Sequence, residues 1–500
     1  MHRKTLGIVH QLVIGLTVAG LFVAVIEAVQ NEELSYRLHH GDEDGHFTVL
    51  LRDGKDRLKV KSRGEIVYSD AMQVASLEAD ARLRMEEKLE GERRLLIVTP
   101  QADGSPSFDY RVDGDPRAFD QEAETWFAGN LLRLYRRVGL DAEQRARRLA
   151  ETGGIDSLLE EISKIDVDDV ASRYLTVALE VAEQPDERAR VLGAGAAGLQ
   201  SSYHLYRFLG HTRADDLRDP EMLTAFEQGA AKVSSDYHLR HLLSAVLDSP
   251  GGAAPEVLEP LLELADSGLS SPHELTELVV QVAEARAETP DATLPEALDG
   301  MLGSISSDYH LQRALVALMS PLPAADSDRA RLLAASKRIA SNHHATELLI
   351  LFAERLQDEA PGRALPAATF ERLSKIQASH DTVRAADALL AAVPVEQADR
   401  LLAAARVQGD YHKRTLLSSA LEHQGRAAGD LPAFQRILES MNGKYEKLQI
   451  TQALDAAPEA APTVEPVEPV EPVEPTDAPA DDEATPVEVT ATADTADTAI

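Results

Sequence analysis

Apolar and polar residues alternate with period two between Leu34 and Arg117. Phe47, Val49 and Leu51 take every second position, Asp53-Gly54 interrupts, and Leu58 and Val60 resume the pattern. This predicts a β-hairpin with one face turned to a core. Arg82-Leu83-Arg84-Met85-Glu86 and the run Leu95 to Val98 predict further strands, punctuated by Gly91, Gly104 and Pro106. Residues 33–117 are therefore expected to form a small antiparallel β domain of about six to eight strands with one wet face. At Phe119 the period changes to 3.6. Trp126, Asn130, Leu131, Leu134 and Val138 share one face of a helix expected to pack the sheet against the later part of the chain. The chain's single tryptophan lies at this junction, where a structural role is expected ahead of a binding hot spot.

Beyond the junction the sequence repeats itself. Ser234-Ser-Asp-Tyr-His238-Leu239 returns as Ser306-Ser-Asp-Tyr-His310-Leu311, 72 residues later. Weaker copies place unit starts at Asp166, Gln200, Ser234, Ser270, Ser306, Ala340, Ala378, Gln408 and Asn442, with spacings of 34, 34, 36, 36, 34, 38, 30 and 34 residues. A unit of this length holds two short helices and two turns, and a lone helical hairpin cannot cover its own apolar stripe. The expected fold class is mainly α: a HEAT-like α-solenoid of about nine helical hairpins over residues 118–450, preceded by the β domain.

Each signature reads as a helix start. Ser235 and Ser307 are placed to cap the first turn, and three residues on His238 and His310 stand where a capping box usually carries Glu, as Glu274 and Glu446 do in two other copies. The apolar stripe follows as Leu239, Leu242, Leu243 and Val246, matched by Leu311, Ala314, Leu315 and Leu318. The residues singled out as structural helix starts are Ser201, Tyr203 and His204; Ser235, Asp236, Tyr237 and His238; Ser307, Asp308, Tyr309 and His310; His344; and Asp410, Tyr411 and His412.

The two ends differ from this body. Leu6 to Ile26 is an apolar stretch preceded by Arg3 and Lys4 and closed by Glu27, long enough to cross a bilayer core as a helix. Residues 1–32 are expected to be a cytoplasmic leader and membrane anchor, with a signal peptide cleaved after Ala28 as the alternative. The bulk of the chain is then expected on the exported side of the membrane, either single-pass or secreted. Residues 451–500 are expected to form a disordered acidic tail: from Asp455 onward there are 13 acids, eight prolines and no Lys or Arg, and Val-Glu-Pro repeats run from Val464 to Pro475. A solubilising spacer is the plain reading of this tail, and a docking motif is the other.

Charge and chemistry narrow the function. With 84 acids against 50 Lys and Arg, the net charge of -34 argues against nucleic acid as a partner. The absence of cysteine excludes disulfides, thiolate catalysis and cysteine-ligated metals. Ser235, Asp236 and His238 resemble a hydrolase triad, but they crowd one helical turn and the arrangement recurs, whereas a nucleophile needs a unique base and oxyanion hole. Gly193, Gly195 and Gly198 match a dinucleotide-binding spacing without the strand that must precede it, so a close helix crossing or a loop is expected. His273-Glu274 lacks the second histidine of a zinc-protease helix. Asp42-Glu43-Asp44-Gly45 lacks calcium-loop spacing and is expected to be an acidic turn. His204, His238, His310, His344 and His412 recur about one helix apart, too far to share a metal, and the local pair His343-His344 is the one candidate left. Sitting at positive helix ends, this row is expected to resist protonation, and the array to loosen below about pH 6. No cofactor or metal is expected.

Arg63-Gly-Glu-Ile66, Tyr110-Arg-Val-Asp-Gly114 before Phe119-Asp120, the Gly153-Gly154-Ile-Asp156 helix start and the Ser-Asp-Tyr-His units resemble the extracytoplasmic portion of certain bacterial envelope proteins. Some of these are similar to beta-lactam-sensor-type membrane metallopeptidases. The resemblance spans about residues 46 to 450 and departs at the peptidase itself, since this chain has one apolar segment and no zinc signature. It implies an envelope-facing module for sensing or scaffolding. The expected function is a non-catalytic membrane-anchored scaffold or sensor that binds protein or peptide partners on a helical-repeat surface. Two alternatives stand beside it: an envelope hydrolase with a site assembled from distant residues such as His39, His40 or His46, and a mechanical spacer without a specific partner.

Overall fold

The computed structural model describes residues 34–40, 47–69, 71–287 and 293–459. The apolar segment 6–26, the acidic residues 42–45, His46 and the tail from 460 lie outside them, so the anchor and acidic-turn expectations and most of the tail fall there; the expected start of the disordered tail at 451 is corrected, because residues 451–456 continue a helix that ends at Ala456. Among the described residues no helix is long and apolar enough to cross a membrane. The chain is mainly helical with a small antiparallel sheet at its start.

The sheet has seven strands in the order β1-β2-β3-β6-β7-β8-β9. They are β1 Leu34–His40, β2 Phe47–Asp53, β3 Asp56–Arg63, β6 Arg82–Leu89, β7 Glu92–Pro100, β8 Pro106–Val112 and β9 Asp115–Arg117. The expected hairpin is present, with Asp53 opposite Asp56 across Gly54, whose φ is 54°. Two further turns, Glu90-Gly91 and Asp113-Gly114, have both central residues at positive φ, the geometry that suits the twist of two-residue hairpins. A separate ribbon of β4 Ile66–Tyr68 and β5 Val74–Leu77 brings the described strands to nine, more than the alternation predicts. Runs of three and four residues are too short to display a period.

Register aligns Val49, Val60, Met85, Leu96 and Tyr110 as one row across the buried face. Helix α1, Gln121–Val138, covers that face with Ala123, Phe127, Leu131, Leu134 and Tyr135. The first helix thus shares its core with the sheet. Glu87 also points to this face, and α1 satisfies it: Trp126 Nε1 donates to its carboxylate at 2.6 Å, Asn130 at 3.2 Å and Arg133 at 2.9 Å. Trp126 is therefore a structural clamp between sheet and helix.

After α2, Ala142–Ile162, whose axis breaks at Gly154, the helices alternate between two layers. The chain runs through α3 Asp168–Val181, α4 Pro185–Gly198, α5 Ser202–Leu209, α6 Pro220–Ala230, α7 Asp236–Leu247, α8 Pro255–Gly268, α9 Pro272–Arg286 and α10 Leu298–Ser304. It continues with α11 Asp308–Leu318, α12 Asp326–Ala335, α13 Asn342–Glu359, α14 Ala367–Leu373, α15 Ser379–Ala392, α16 Val395–Ala404, α17 Asp410–Gln424, α18 Pro432–Glu439 and α19 Lys444–Ala456. Each odd helix from α3 packs on the next odd helix as far as α19, and from α8 to α18 each even helix packs on the next even one. The stripes expected from sequence, Leu239, Leu242, Leu243 and Val246, and Leu311, Ala314, Leu315 and Leu318, are all buried. A single hydrophobic core runs from Ala142 to Ile450. The glycines of α4 lie within a helix, and the ring of Phe208 occupies the space a Cβ on Gly195 would need, so the spacing records a close helix crossing.

Candidate interaction surface

The nine unit starts precede the nine odd helices α3 to α19, and these begin along one edge of the array. Ser235, Ser271, Ser307 and Ser341 cap their helices by accepting from the N–H three residues on, at 3.3–3.5 Å. The residue after each cap does something the sequence did not disclose. Asp236 accepts from the backbone N–H groups of Ser270 and Ser271, at 3.0 and 2.6 Å, in the next unit. Asp168 does the same for Gln200 and Ser201, Asp308 for Ala340 and Ser341, and Asp410 for Asn442 and Gly443. Ser202, Asn342 and Ser379 hold the equivalent bonds to Ser234, Gln377 and Gln408. Of the odd helices α3 to α17, only α9, which begins with Pro272, has no side-chain oxygen there to offer. The seventh unit shows that Ala378 is the cap itself and Gln377 the true start, one residue earlier than sequence alignment places it.

From α5 to α19 a ring follows the first residue of each odd helix. Tyr203, Tyr237, His273, Tyr309, His343, His380, Tyr411 and Tyr445 are the second residues of eight successive odd helices. The five tyrosines are 47 to 67% exposed, unusual for large side chains repeated at one position. For Tyr203, His273 and Tyr309 the third residue of the next odd helix gives support. His238 stacks on Tyr206 with centroids 4.9 Å apart and meets Tyr203 of the preceding unit at 6.0 Å. His310 likewise meets His273 at 5.8 Å, and His344 meets Tyr309 at 6.2 Å. Each half-buried imidazole thus props a ring of the unit before it. Arg207, Arg240 and Arg414 lie over Tyr203, Tyr237 and Tyr411 at 5.3–5.9 Å, adding cationic character to the same edge.

No family model matches the chain, and no curated protein matches it. Among solved structures, a chain from work on the computational design of self-assembling cyclic protein homooligomers aligns with 60% of this chain and 99% of its own length, at 13% identity and a TM-score of 0.13. A score that low carries no argument about fold or function.

The remaining candidates separate clearly. Asp236 turns its carboxylate to the next unit and His238 its ring to Tyr206, so Ser235, Asp236 and His238 do not assemble as a triad. Glu274 bonds Arg240 of the previous unit at 2.6 Å instead of closing a capping box. His343 lies beside Glu347, and His344 Nδ1 meets Gln312 at 2.6 Å. Among the described residues no group of three or more His, Asp or Glu is placed to hold a metal. His39 and His40 lie on β1, opposite Thr48 and Phe47. An open cavity of about 490 Å³ lies where α2 and α4 approach, lined by Arg147, Glu151, Gly154, Glu183 and Glu187 among others. The Glu187 carboxylate there accepts from the N–H groups of Glu183 and Gln184, a helix-capping use.

Proposed function

We propose that this chain is a HEAT-like solenoid scaffold that binds an extended protein or peptide along its row of exposed rings. The observation that carries the reading is the recurrence of an exposed tyrosine or imidazole at the second position of eight successive odd helices. A core-building repeat has no need of such a side chain. Extended peptides suit a surface of this kind, because aromatic rings at regular spacing bind them with little loss of rotamer freedom. The apolar segment 6–26 behind Arg3 and Lys4, together with the resemblance to envelope proteins, supports a place on the periplasmic side of a bacterial inner membrane, anchored by that segment.

A peptide display library panned on the full chain tests the surface. Enriched peptides should lose affinity roughly tenfold or more on Tyr237→Ala or Tyr309→Ala, the scale of one lost aromatic anchor. Exposed Glu263 on α8, replaced by Ala, should leave them unaffected. Binding indifferent to the tyrosines overturns the reading. The topology is tested by protease added to cells with an opened outer and intact inner membrane: the tail should be digested, and its protection overturns the periplasmic placement.

A further inference from the structure

Resting on the reading that the ring row is a binding surface, we propose that its occupant in the resting molecule is the chain's own Val-Glu-Pro segment, residues 464–475. The periods coincide. Four triplets run without interruption, with Pro466, Pro469, Pro472 and Pro475 at every third position and Glu465, Glu468, Glu471 and Glu474 between them. A polyproline II strand has three residues per turn and rises about 9.3 Å per turn, so all prolines share one face and all glutamates another. Neighbouring packed helices lie about 8–10 Å apart, so one triplet advances by one odd helix. Rows of aromatic rings are the recognised partners of polyproline II strands.

The segment's point of departure selects the rungs. The backbone carbonyl of Pro458 accepts from the N–H of Arg426 at 2.9 Å, which holds the exit near the far ends of α17 and α19. Helix α19 has 13 residues, a length of about 20 Å, and the six steps from Pro458 to Val464 span about 20 Å when extended. Val464 can therefore return to the level of Tyr445, and four triplets then cross α19, α17, α15 and α13. The rings waiting there are Tyr445, Tyr411, His380 and His343. Tyr445 and Tyr411, at 67 and 63%, are more exposed than the other tyrosines of the row. Charge agrees: Lys444, Lys447, Lys413 and Arg414 stand in the first turns of α19 and α17, whereas the chain as a whole carries -34. Of the acids nearby, Asp410 is committed to the N–H groups of Asn442 and Gly443 and Glu347 to Arg384, leaving Glu446, Asp381 and Glu439, whose backbone carbonyl accepts from Lys447, as the opposing charges.

The chain has no cysteine, so spin labels can be placed on the full chain at Gln408→Cys, on the ring edge, and Val467→Cys, in the segment. Pulsed electron paramagnetic resonance should report a narrow, short separation. That separation should broaden and lengthen in Tyr411→Ala/Tyr445→Ala. It should do the same when Glu465, Glu468, Glu471 and Glu474 are all replaced by Lys, a change that leaves the folded body untouched. A broad distribution before any substitution, or a narrow one that survives both sets, overturns the proposal. So does loss of the narrow component on adding excess unlabelled chain, which would assign the segment to a second copy. If the distribution is broad while panned peptides still depend on Tyr237, the tail docking alone falls; if the peptides are also indifferent, the surface reading falls with it.

Discussion

Asp236 shows how one side chain serves two units. As the first residue of α7 it sits at the positive end of its own helix, and its carboxylate accepts the two backbone N–H groups that open α9. Hydrogen bonds to a charged acceptor contribute about 1.5–3 kcal/mol when buried, and this edge is half open to water, so Asp236→Ala should cost about 1–2 kcal/mol. Asp236→Asn, which keeps one acceptor oxygen, should cost less. Urea unfolding with an unchanged slope checks both, and equal losses for the two variants would deny the staple. The recurrence of this aspartate was plain in the sequence, but its purpose was not. Ser235 already satisfies the local capping rule, and the partners of Asp236 lie 34 and 35 residues away, beyond the reach of any local pattern. The tyrosine beside it was legible as a repeated position, while the packing of its ring on His238 and His241 of the same helix was not.

Elements meet at two places where acid should act in different ranges. His241 on α7 has its pKa lowered, first by burial and then by the charge of Arg240, whose Nη2 lies 2.6 Å from His241 Nε2. Tyr237 packs on its ring at 4.2 Å, and Glu274 and His238 complete its charged surroundings. Because the folded state disfavours the protonated ring, stability is complete above the ordinary value of about 6.5 and declines as pH falls below it. Glu161 joins α1 to α2. Burial pushes its carboxyl upward, but hydrogen bonds from Arg136 and Arg145 outweigh this and hold it below the usual range. Its contribution is present above about 4.5 and lost as pH falls further. Thermal melts should therefore fall in two limbs, with His241→Gln flattening the upper and Glu161→Gln the lower; a single limb unaffected by either would refute the assignment. The long periodic helices and the hairpins at Gly54 and Gly91 were legible in the sequence, because turn chemistry and period are local. The ribbon β4–β5 was not, because its strands are too short to show a period; α1 was expected to pack on the sheet, but that its core belongs to the sheet and not to the helical repeats is decided by what packs against it.

The whole molecule is capped unequally. At one end the sheet, α1 and the Glu161 hub cover the first helices, while at the other α19 buries Ile450 alone and leaves Tyr445 and Leu448 exposed. In a stack where each unit touches its neighbours, local stability follows the neighbours on both sides. Native-state hydrogen exchange should therefore find α19 opening first and the central odd helices, such as α7 with six buried residues, last. Leu315 is fully buried in α11, and Leu315→Ala should cost about 2–5 kcal/mol. Its effect on exchange should spread to α9 and α13, the odd helices packed against α11, before it reaches α3. Independent globules would show protection lost in one block with a sharp boundary. A gradient centred on α11 is what a continuous core from Ala142 to Ile450 requires, and it would also make the weakly covered α19 end the part of the surface most altered by anything that binds there.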